Sequence, residues 1–449
     1  MERREVLKIS GAAAAGAVIG ACAGGGSKAP SKPAAPVGDG MVMRENPVSG
    51  DKVSLLGFGC MRWPMVKQPD GSEIIDQEAV NQMVDYAIEH GVNYFDTSPA
   101  YLQGLSEKAA GEALSRHPRE SYYIATKLSN FSDQTPEASL EMYKASFKEL
   151  KTDYFDYYLL HSIGRGGVAA YRKRYVDNGM VDFLLKEKEA GRLRNLGFSF
   201  HGDQAAFEEL IALHDSGEMH WDFVQIEMNY IDWRHADGVR NTNAEYLYNE
   251  LDKREIPIVI MEPLLGGRLA SVPEGVARQM KVREPDLSIA SWAFRFCGTY
   301  PRVLCILSGM TSMEPLEDNI RTFTSFKPLT EEELFFLEQM AVQIKEYPLV
   351  NCTDCKYCMP CPFGIDIPGI FKHYNTAITE GTYAQSKEQE DYAKLRRQYL
   401  MSYDRAVPRL RQADHCVGCG ICLPACPQSI EIPAELRKID QYVERLREG

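Results

Sequence analysis

Eight of the twelve cysteines in this 449-residue chain fall into two short runs near its C-terminal end. These residues are Cys352, Cys355, Cys358 and Cys361 in the first run and Cys416, Cys419, Cys422 and Cys426 in the second. The second run has the spacing C-x2-C-x2-C-x3-C-P, which is typical of thiolates that hold [4Fe–4S] clusters. The sequence therefore predicts that all eight thiolates bind iron–sulfur clusters.

The fourth cysteine of each run decides how the clusters are shared. In two-cluster proteins, the first three cysteines of a run bind one cluster and the fourth, followed by proline, binds the other. Matching segments, CPFGIDIP and CPQSIEIP, follow the two runs and indicate an internal duplication. We therefore predict two [4Fe–4S] clusters, one held by Cys426 with the first three cysteines of the first run, the other by Cys361 with those of the second. The first run has only two residues before Cys361, which leaves the partner of that thiolate open.

Zinc and disulfide bonds are the alternative uses of these cysteines. Zinc sites usually present two separated C-x2-C pairs rather than four evenly spaced cysteines followed by proline. Disulfides require an oxidising compartment during folding. Residues 386–403 lack Gly and Pro and predict a helix, and Pro368 and Pro433 suit first helical turns. This region resembles an α-helical two-cluster ferredoxin, whose clusters either carry electrons or stabilise the fold.

The other end of the chain resembles an export signal. Arg3 and Arg4 precede a short apolar stretch, ISGAAAAGAVIGA, and then Cys22 in the lipobox-like sequence VIGAC. The twin arginines indicate the Tat route, which carries folded proteins, so that clusters assembled in the cytoplasm would survive export. We expect a signal peptide at 1–21, a lipidated flexible tether at 22–44, and a protein of the bacterial cell envelope or periplasm that touches the membrane only through this anchor. A Sec signal with a chance Arg pair and an uncleaved anchor remain alternatives.

The rest of the chain is long enough for two domains, which we place at 45–345 and 346–449. The net charge of −13, without a compensating basic patch, argues against a nucleic-acid partner. Between residues 45 and 345, eight β-like runs alternate with amphipathic helical stretches. The runs are 53–59, 92–96, 122–127, 155–161, 193–199, 223–228, 257–262 and 303–308. This alternation predicts a (β/α)8 TIM barrel followed by a small α-helical domain, with a doubly wound sheet as the second choice.

In a barrel of this kind, chemistry belongs at the C-terminal ends of the strands. Those ends carry Asp96, Lys127 and His161, and Tyr101 follows Asp96 in the next loop. We therefore expect these four side chains at the mouth of the barrel.

Several stretches then resemble the aldo/keto reductase family, and they follow the family order. They include NYFDTSPAY, SEKAAGEAL, IATK, YLLH, VQIEMNY, EPLLGG and SGMTSMEPLEDN. The whole architecture, a barrel followed by a cluster domain, is similar to the iron–sulfur branch of that family. Two positions differ from the family pattern: Leu102 stands where a glycine commonly follows the tyrosine, and Phe200 where an asparagine commonly follows Ser199.

The resemblance implies an NAD(H)- or NADP(H)-dependent oxidoreductase acting on a small carbonyl or alcohol. Tyr101 would be the general acid or base, Lys127 its activator, Asp96 the partner of Lys127, and His161 the residue that orients the carbonyl. The implied contacts to the dinucleotide are Gly59, Met61, Ser199, Gln225, Ser308, Gly309, Met310 and Asn319.

Two functions follow from these features. The first is an exported reductase that moves a hydride and uses its clusters for electron transfer, with a redox partner protein, or for structure. The second is an electron relay or redox-responsive binding protein whose barrel does not turn over. The three cysteines that stand in apolar or strand contexts, Cys60, Cys297 and Cys305, are expected to be core thiols rather than ligands.

Overall fold

The computed structural model describes residues 40–69, 72–236 and 241–449. The predicted signal peptide at 1–21, the arginine pair Arg3 and Arg4, the lipid site at Cys22 and most of the tether lie outside the described residues. Among the residues that are described, no helix is long and apolar enough to cross a membrane.

The end of the predicted tether belongs to the folded protein. Met43–Glu45 forms a strand, Val42 is buried, and the Arg44 guanidinium donates to the carbonyl oxygen of Tyr300 at 2.8 Å. The prediction that the tether extends to residue 44 is therefore wrong at its end. Arg44 holds the segment against the base of the barrel by donating to three carbonyl oxygens. The composition of the tether could not predict these contacts.

The described part contains twelve strands, numbered β1 to β12 in chain order. They are Met43–Glu45, Lys52–Ser54, Leu56–Gly59, Met65–Lys67, Glu73–Ile75, Tyr94–Asp96, Tyr123–Leu128, Phe155–Ile163, Leu193–Phe200, Phe223–Glu227, Ile258–Met261 and Val303–Ser308. Strand β3 and strands β6 to β12 form a closed barrel of parallel strands. Two antiparallel hairpins, β1–β2 and β4–β5, lie outside it.

Fifteen helices, α1 to α15, are present in the same described ranges. They are Gln77–Glu89, Leu105–Leu114, Pro136–Leu150, Gly167–Tyr171, Met180–Glu189, Gln204–Ser216, Asp232–His235, Ala244–Lys253, Glu274–Arg283, Ile289–Thr299, Met313–Thr324, Glu331–Lys345, Ile367–Thr379, Tyr392–Ala406 and Ile432–Glu448. Each of the eight predicted β-runs overlaps one barrel strand. The predicted (β/α)8 barrel is thus confirmed, and the doubly wound sheet is wrong.

The barrel interior is filled at one end and hollow at the other. Large inward side chains pack below the mouth: the ring of Tyr157 lies 5.0 Å from those of Tyr94 and Phe223, centroid to centroid. All three rings are fully buried. Because these rings occupy the lower interior, a ligand has room only at the C-terminal ends of the strands.

The C-terminal part of the chain is helical. Helices α13 and α15 carry Pro368 and Pro433 in their first turns, as predicted, and pack with α14 around a core of tyrosines and isoleucines. The helix predicted over 386–403 begins later, at Tyr392, and runs to Ala406. The reason is local: the Ser386 hydroxyl accepts a hydrogen bond from the Glu388 backbone N–H at 3.1 Å, and such turns compete with helix. Helix α12 ends at Lys345, and the predicted domain division at 345/346 stays a prediction.

Candidate active site

The four predicted catalytic side chains meet at the mouth of the barrel. Asp96 ends β6, Lys127 lies in β7, His161 lies in β8, and Tyr101 opens the short 3-10 turn Tyr101–Gly104. All four line one cavity of about 1030 Å³, part of which is open to solvent. Closure of the parallel barrel brings the strand ends together, and the residues predicted there converge.

Asp96 and Lys127 form a buried ion pair at the floor of this cavity. The Lys127 ammonium donates to Asp96 Oδ1 at 2.5 Å and to the carbonyl oxygen of Thr97 at 2.8 Å. Burial raises the pKa of the Asp96 carboxyl and lowers the pKa of Lys127, while the pairing opposes both shifts. Asp96 Oδ2 is buried without a hydrogen-bond partner among the described residues. The pair therefore depends on its one direct contact.

A buried carboxyl group supports the strand that carries Lys127. Glu107, on α2, accepts hydrogen bonds from the hydroxyls of Thr126 at 2.5 Å and Ser146 at 3.1 Å. Burial raises the pKa of Glu107 to about 7, although the two hydrogen bonds oppose the shift. Glu107 lies in the family-like stretch SEKAAGEAL, in which no functional residue was predicted.

Tyr101 is held as a neutral phenol. The Lys127 ammonium lies 4.9 Å from the centroid of the Tyr101 ring, and the rings of Tyr101 and His161 are 5.9 Å apart, edge to face. Burial, with the nearby Asp96 carboxylate, raises the pKa of Tyr101 well above 10. In the protein alone, the activation by Lys127 that the resemblance implies does not lower this pKa, because burial of the phenol dominates. A neutral phenol can donate its proton to a carbonyl oxygen.

His161 is neutral for a related reason. Its Nδ1 lies 2.5 Å from the hydroxyl of Ser129 and 3.3 Å from that of Ser98. Burial, with the neighbouring Lys127 cation, lowers the pKa of His161 well below 6.5. Two serines thus fix the ring, which suits it to orient a carbonyl group by hydrogen bonding rather than by charge.

The turn after Tyr101 has an unusual backbone. Leu102 and Gln103 have φ values of 48° and 56°, in the left-handed region that favours glycine. Leu102 occupies the position at which the family commonly has glycine, so the chain keeps the backbone conformation without the residue that adopts it at low cost. Such conformations persist only where surrounding structure enforces them.

Six of the eight predicted dinucleotide contacts line the cavity: Gly59, Met61, Ser199, Gln225, Ser308 and Gly309. Gln225 Oε1 is buried without a hydrogen-bond partner in the described structure, and so can accept one from a ligand amide. This feature fits a nicotinamide carboxamide.

The remaining two predicted contacts, Met310 and Asn319, are not among the residues that line the cavity. Met310 is buried, and the Asn319 side chain donates to Ser308 Oγ at 3.0 Å. Their role as dinucleotide contacts stays a prediction.

The cluster domain also contributes to the cavity. Cys355, Tyr357 and Pro427 line it together with the barrel residues. No signal in the sequence could have placed these residues there, because the contact joins two domains far apart along the chain. Arg62, His201 and Glu262, which line the cavity as well, follow barrel strands and could have been found by reading further into the loops.

Contacts around the mouth hold the two domains together. Arg62 donates to the carbonyl oxygen of Thr353 and lies 3.5 Å from the Asp354 carboxylate. Gly266, after β11, packs so closely on Thr353 that an added Cβ would lie 2.4 Å from its Cα. On the other side, Gln428 donates to the Glu227 carboxylate at 3.0 Å. The segment around the first cysteine run therefore lies against the rim of the barrel.

The eight cysteines surround two neighbouring cavities. One is lined by Cys352, Cys355, Cys358 and Cys426, and the other by Cys361, Cys416, Cys419 and Cys422, with Cys358 at its edge. These are the two ligand sets predicted from the spacing, and sets of four thiolates fit [4Fe–4S] clusters. Within the described ranges, no three His, Cys, Asp or Glu side chains are placed to hold a single metal ion. We call the first set the inner cluster site, because Cys355 also lines the barrel cavity, and the second the outer cluster site.

The other three cysteines of the described structure, Cys60, Cys297 and Cys305, are buried free thiols, as expected. The pKa of each of these thiols is raised above its ordinary value, mainly because the thiol is buried.

Comparison with known proteins agrees with this architecture. The model of the aldo/keto reductase family matches residues 55–341, which is more than half of the chain. The chain belongs to the aldo/keto reductase family. A 4Fe-4S dicluster domain matches residues 351–432. The protein is therefore an aldo/keto reductase-type oxidoreductase chain with an iron–sulfur domain.

The relatives cover the barrel rather than the cluster domain. An uncharacterized oxidoreductase of Bacillus subtilis is 25% identical over 321 residues, 65% of this chain and 94% of its own length. The L-galactose dehydrogenase of Arabidopsis thaliana is 25% identical over 299 residues, 63% of this chain and 88% of its own. Among solved structures, the holo form of an aldo-keto reductase from Bacillus halodurans has a TM-score of 0.53 at 22% identity, covering 67% of this chain and 96% of its own. That likeness shows the fold.

Proposed function

We propose that this aldo/keto reductase transfers a hydride between a bound NAD(H) or NADP(H) and a small carbonyl or alcohol substrate, with two [4Fe–4S] clusters that exchange electrons with a redox partner. The observation that carries the proposal is the convergence of Asp96, Tyr101, Lys127 and His161 in one cavity. Each of these side chains is common alone, but together they provide a proton donor, a cation and an orienting imidazole at one place.

The proton chemistry follows from the geometry. Tyr101, neutral because of burial, donates its proton to the carbonyl oxygen during reduction and is left as the phenolate, and in alcohol oxidation the phenolate takes the hydroxyl proton back. The Lys127 ammonium, 4.9 Å from the ring centroid, attracts the negative charge that the phenol keeps after donation. The neutral His161 ring, fixed by Ser129, directs the oxygen toward Tyr101.

The remaining cavity residues would hold the cofactor. Gln225 Oε1 accepts from a carboxamide N–H, and Ser199, whose Oγ accepts from the Ser162 backbone N–H at 2.8 Å, keeps its own O–H free to donate. When bound, nicotinamide supplies or accepts the hydride, and the iron–sulfur clusters supply single electrons.

The outer cluster site is where a redox partner would approach. Its cavity is lined by Val417 and Ile421, which are 63% and 64% exposed, and Cys419 is exposed as well. The inner site meets the barrel cavity through Cys355. The two sites together thus connect the surface with the mouth of the barrel.

The test is turnover by anaerobically purified protein with NADH or NADPH and a carbonyl panel. Two relatives are named L-galactose dehydrogenase and NADH-specific methylglyoxal reductase, so the panel includes L-galactose and methylglyoxal. Tyr101→Phe should reduce kcat at least a hundredfold and leave the Kd for the dinucleotide within about threefold. Turnover within about tenfold of wild type would remove Tyr101 from the chemistry.

A second candidate function is an electron relay without nicotinamide turnover. It is favoured by Arg62, which packs on Gly309, one of the predicted dinucleotide contacts. Arg62 is also held by Asp354, which lies in the loop at residues 352–358 that we call the cluster loop. A relay would pass electrons from dithionite to an acceptor but would reduce no carbonyl with NADH or NADPH. Nicotinamide-dependent turnover that is lost in Tyr101→Phe would argue for the reductase.

We also propose export by the Tat route with lipid attachment at Cys22, supported by the twin arginines and the VIGAC sequence. Replacing both Arg3 and Arg4 by Lys keeps the charge but removes the pair. The full-length variant should stay in the cytoplasm, whereas wild type reaches the envelope. Normal delivery of the variant would indicate the Sec route instead.

A further inference from the structure

The reductase cavity has one wall that comes from the cluster domain. Cys355 belongs to the inner cluster site, and Tyr357 lies between Cys355 and Cys358 in the sequence. Both line the same cavity as Tyr101 and His161. The barrel alone would leave this side of the cavity open. The substrate site is therefore shared between two domains.

The side chain of Tyr357 continues an aromatic surface that begins at the catalytic histidine. The ring of Phe131 lies 5.0 Å from His161, and the ring of Tyr357 lies 6.3 Å from Phe131, centroid to centroid. The Arg174 guanidinium lies 4.7 Å from the Phe131 ring centroid and helps to fix that ring. Phe131 does not line the cavity itself, so a planar ligand that places its oxygen at Tyr101 would lie against His161 and Tyr357, which do line it.

The backbone of the cluster loop positions Tyr357. Asp354 and Lys356 have φ values of 52° and 63°, both in the left-handed region, and Lys356 directly precedes Tyr357. The loop is anchored to the barrel by Arg62, which contacts Thr353 and Asp354. Residues in such strained conformations cluster at functional sites, where surrounding contacts enforce them. Here the contacts are those that bind the cluster loop to the barrel rim.

We propose that Tyr357 contacts the substrate and determines specificity, by offering its ring to a flat, apolar group next to the reacting carbonyl. This inference rests on the proposed function, because it assumes that the carbonyl oxygen is bound at Tyr101. It adds to that function a residue that the cluster domain supplies and the barrel does not. It also makes the substrate site dependent on the correctly folded cluster loop.

Binding of two unreactive amides tests the proposal without any turnover. Benzamide has a flat ring beside a carbonyl-type oxygen, and acetamide has the same oxygen without the ring. Dissociation constants are measured by anaerobic calorimetry on the full holoprotein. Wild type should bind benzamide at least tenfold more tightly than acetamide, which corresponds to ~1.4 kcal/mol.

Three variants separate the ring from other effects. Tyr357→Phe keeps the ring and should retain the preference, whereas Tyr357→Ala should reduce it to about threefold or less. Phe335→Ala, which truncates a ring 64% exposed on α12, should retain it. Iron content is measured for each variant, and Tyr357→Leu replaces the alanine variant if that variant loses iron.

The result that would overturn the proposal is an unchanged preference in Tyr357→Ala or in Tyr357→Leu, or no preference in wild type. Failure of the proposed function looks different. If the protein reduces no carbonyl but the benzamide preference depends on Tyr357, the composite site stands and only the reaction is wrong. If turnover depends on Tyr101 but the benzamide preference does not depend on Tyr357, the reaction stands and the composite site is wrong.

Discussion

Lys127 and Asp96 form an ion pair with side chains that are 1% and 3% exposed, with 2.5 Å between Nζ and Oδ1. Removing one partner of a buried pair leaves an uncompensated charge, which typically costs ~3–5 kcal/mol. Asp96→Asn and Lys127→Met should each lower the free energy of unfolding by about that amount. The double variant should lose markedly less than the sum, because it leaves no unpaired charge.

The matched control for this cycle is a surface pair. Lys151 and Glu112 also form an ion pair, but their side chains are 46% and 51% exposed. Exposed pairs contribute ~0–1 kcal/mol, so the same cycle there should give little coupling. Stability is measured by denaturant unfolding of cluster-loaded protein under anaerobic conditions. Equal coupling energies at both pairs would contradict the conclusion that burial makes the Asp96–Lys127 pair the more important one for stability.

Glu107 makes stability depend on pH. Burial raises its pKa from 4.5 to about 7, so the folded protein holds a proton that the unfolded chain has released over this range. Stability from this group is therefore full below about pH 4.5 and declines as the pH rises to about 7. Glu107→Gln, which keeps the shape without the titration, should flatten that decline.

The control for Glu107 is the exposed residue Glu137, which lies in the first turn of α3. Glu137→Gln should leave the slope of stability against pH unchanged. Glu227 and Asp232, whose burial raises each pKa to about 7, keep part of the slope in every variant. Melting temperatures measured from pH 5 to pH 8 would decide, and an identical slope in wild type and Glu107→Gln would refute the assignment.

The sequence was sufficient for the barrel and for the placement of four candidate side chains at its mouth. Periodicity located each strand, and parallel strands necessarily bring residues such as Asp96 and Lys127 to one end of the barrel. Cysteine spacing likewise predicted both ligand sets, because a cubane limits how far apart its thiolates can lie along the chain.

What the sequence could not predict depends on contacts between distant segments. The pKa of Tyr101 depends on burial and on the nearby Asp96 carboxylate, neither of which appears in a strand-end motif. The place of Tyr357 depends on how two domains pack, and the amide of Asn319 turns to Ser308. The end of the tether and the start of α14 depend on local contacts of Arg44 and Ser386, which composition does not show.

The pairing of the cluster ligands can be tested by combining substitutions. Cys426→Ala should remove the inner cluster and reduce the iron content from about eight toward four per chain. Adding Cys352→Ala should cause no further loss, since both thiolates line the same cavity. Adding Cys361→Ala instead should remove the outer cluster too.

If each run bound its own cluster, both double variants would lose both clusters. The combination with Cys352 therefore distinguishes the two arrangements, because about four iron atoms remain if the ligands are shared as predicted and none remain if each run binds its own cluster. Iron, sulfide and EPR spectra of the reduced proteins distinguish these cases. About four iron atoms in fully reconstituted wild type would show that the run with the shorter spacing holds no cluster.

The last prediction concerns retention of the dinucleotide. An enzyme exported in folded form would meet no expected pool of free nicotinamide outside the cytoplasm, so it should carry its cofactor with it. The cluster loop forms part of the cavity rim, where Thr353 packs against Gly266. Protein purified without added nucleotide should therefore contain close to one equivalent of NAD(H) or NADP(H), released on denaturation. An empty site with a millimolar Kd, ~4 kcal/mol of binding, would exclude a retained cofactor.

Two neighbouring glycines identify what holds the cofactor. Gly266 and Gly267 have φ values of 67° and 99°, so alanine at either strains the backbone by ~1–2 kcal/mol. Only at Gly266 does the added Cβ also meet the cluster loop, 2.4 Å from Thr353 Cα, whereas at Gly267 it meets open space. Gly266→Ala should push the loop from the rim and release nucleotide at least tenfold faster, while Gly267→Ala should release it like wild type. Equal release rates would mean that backbone strain, and not the cluster loop, governs exchange at the mouth.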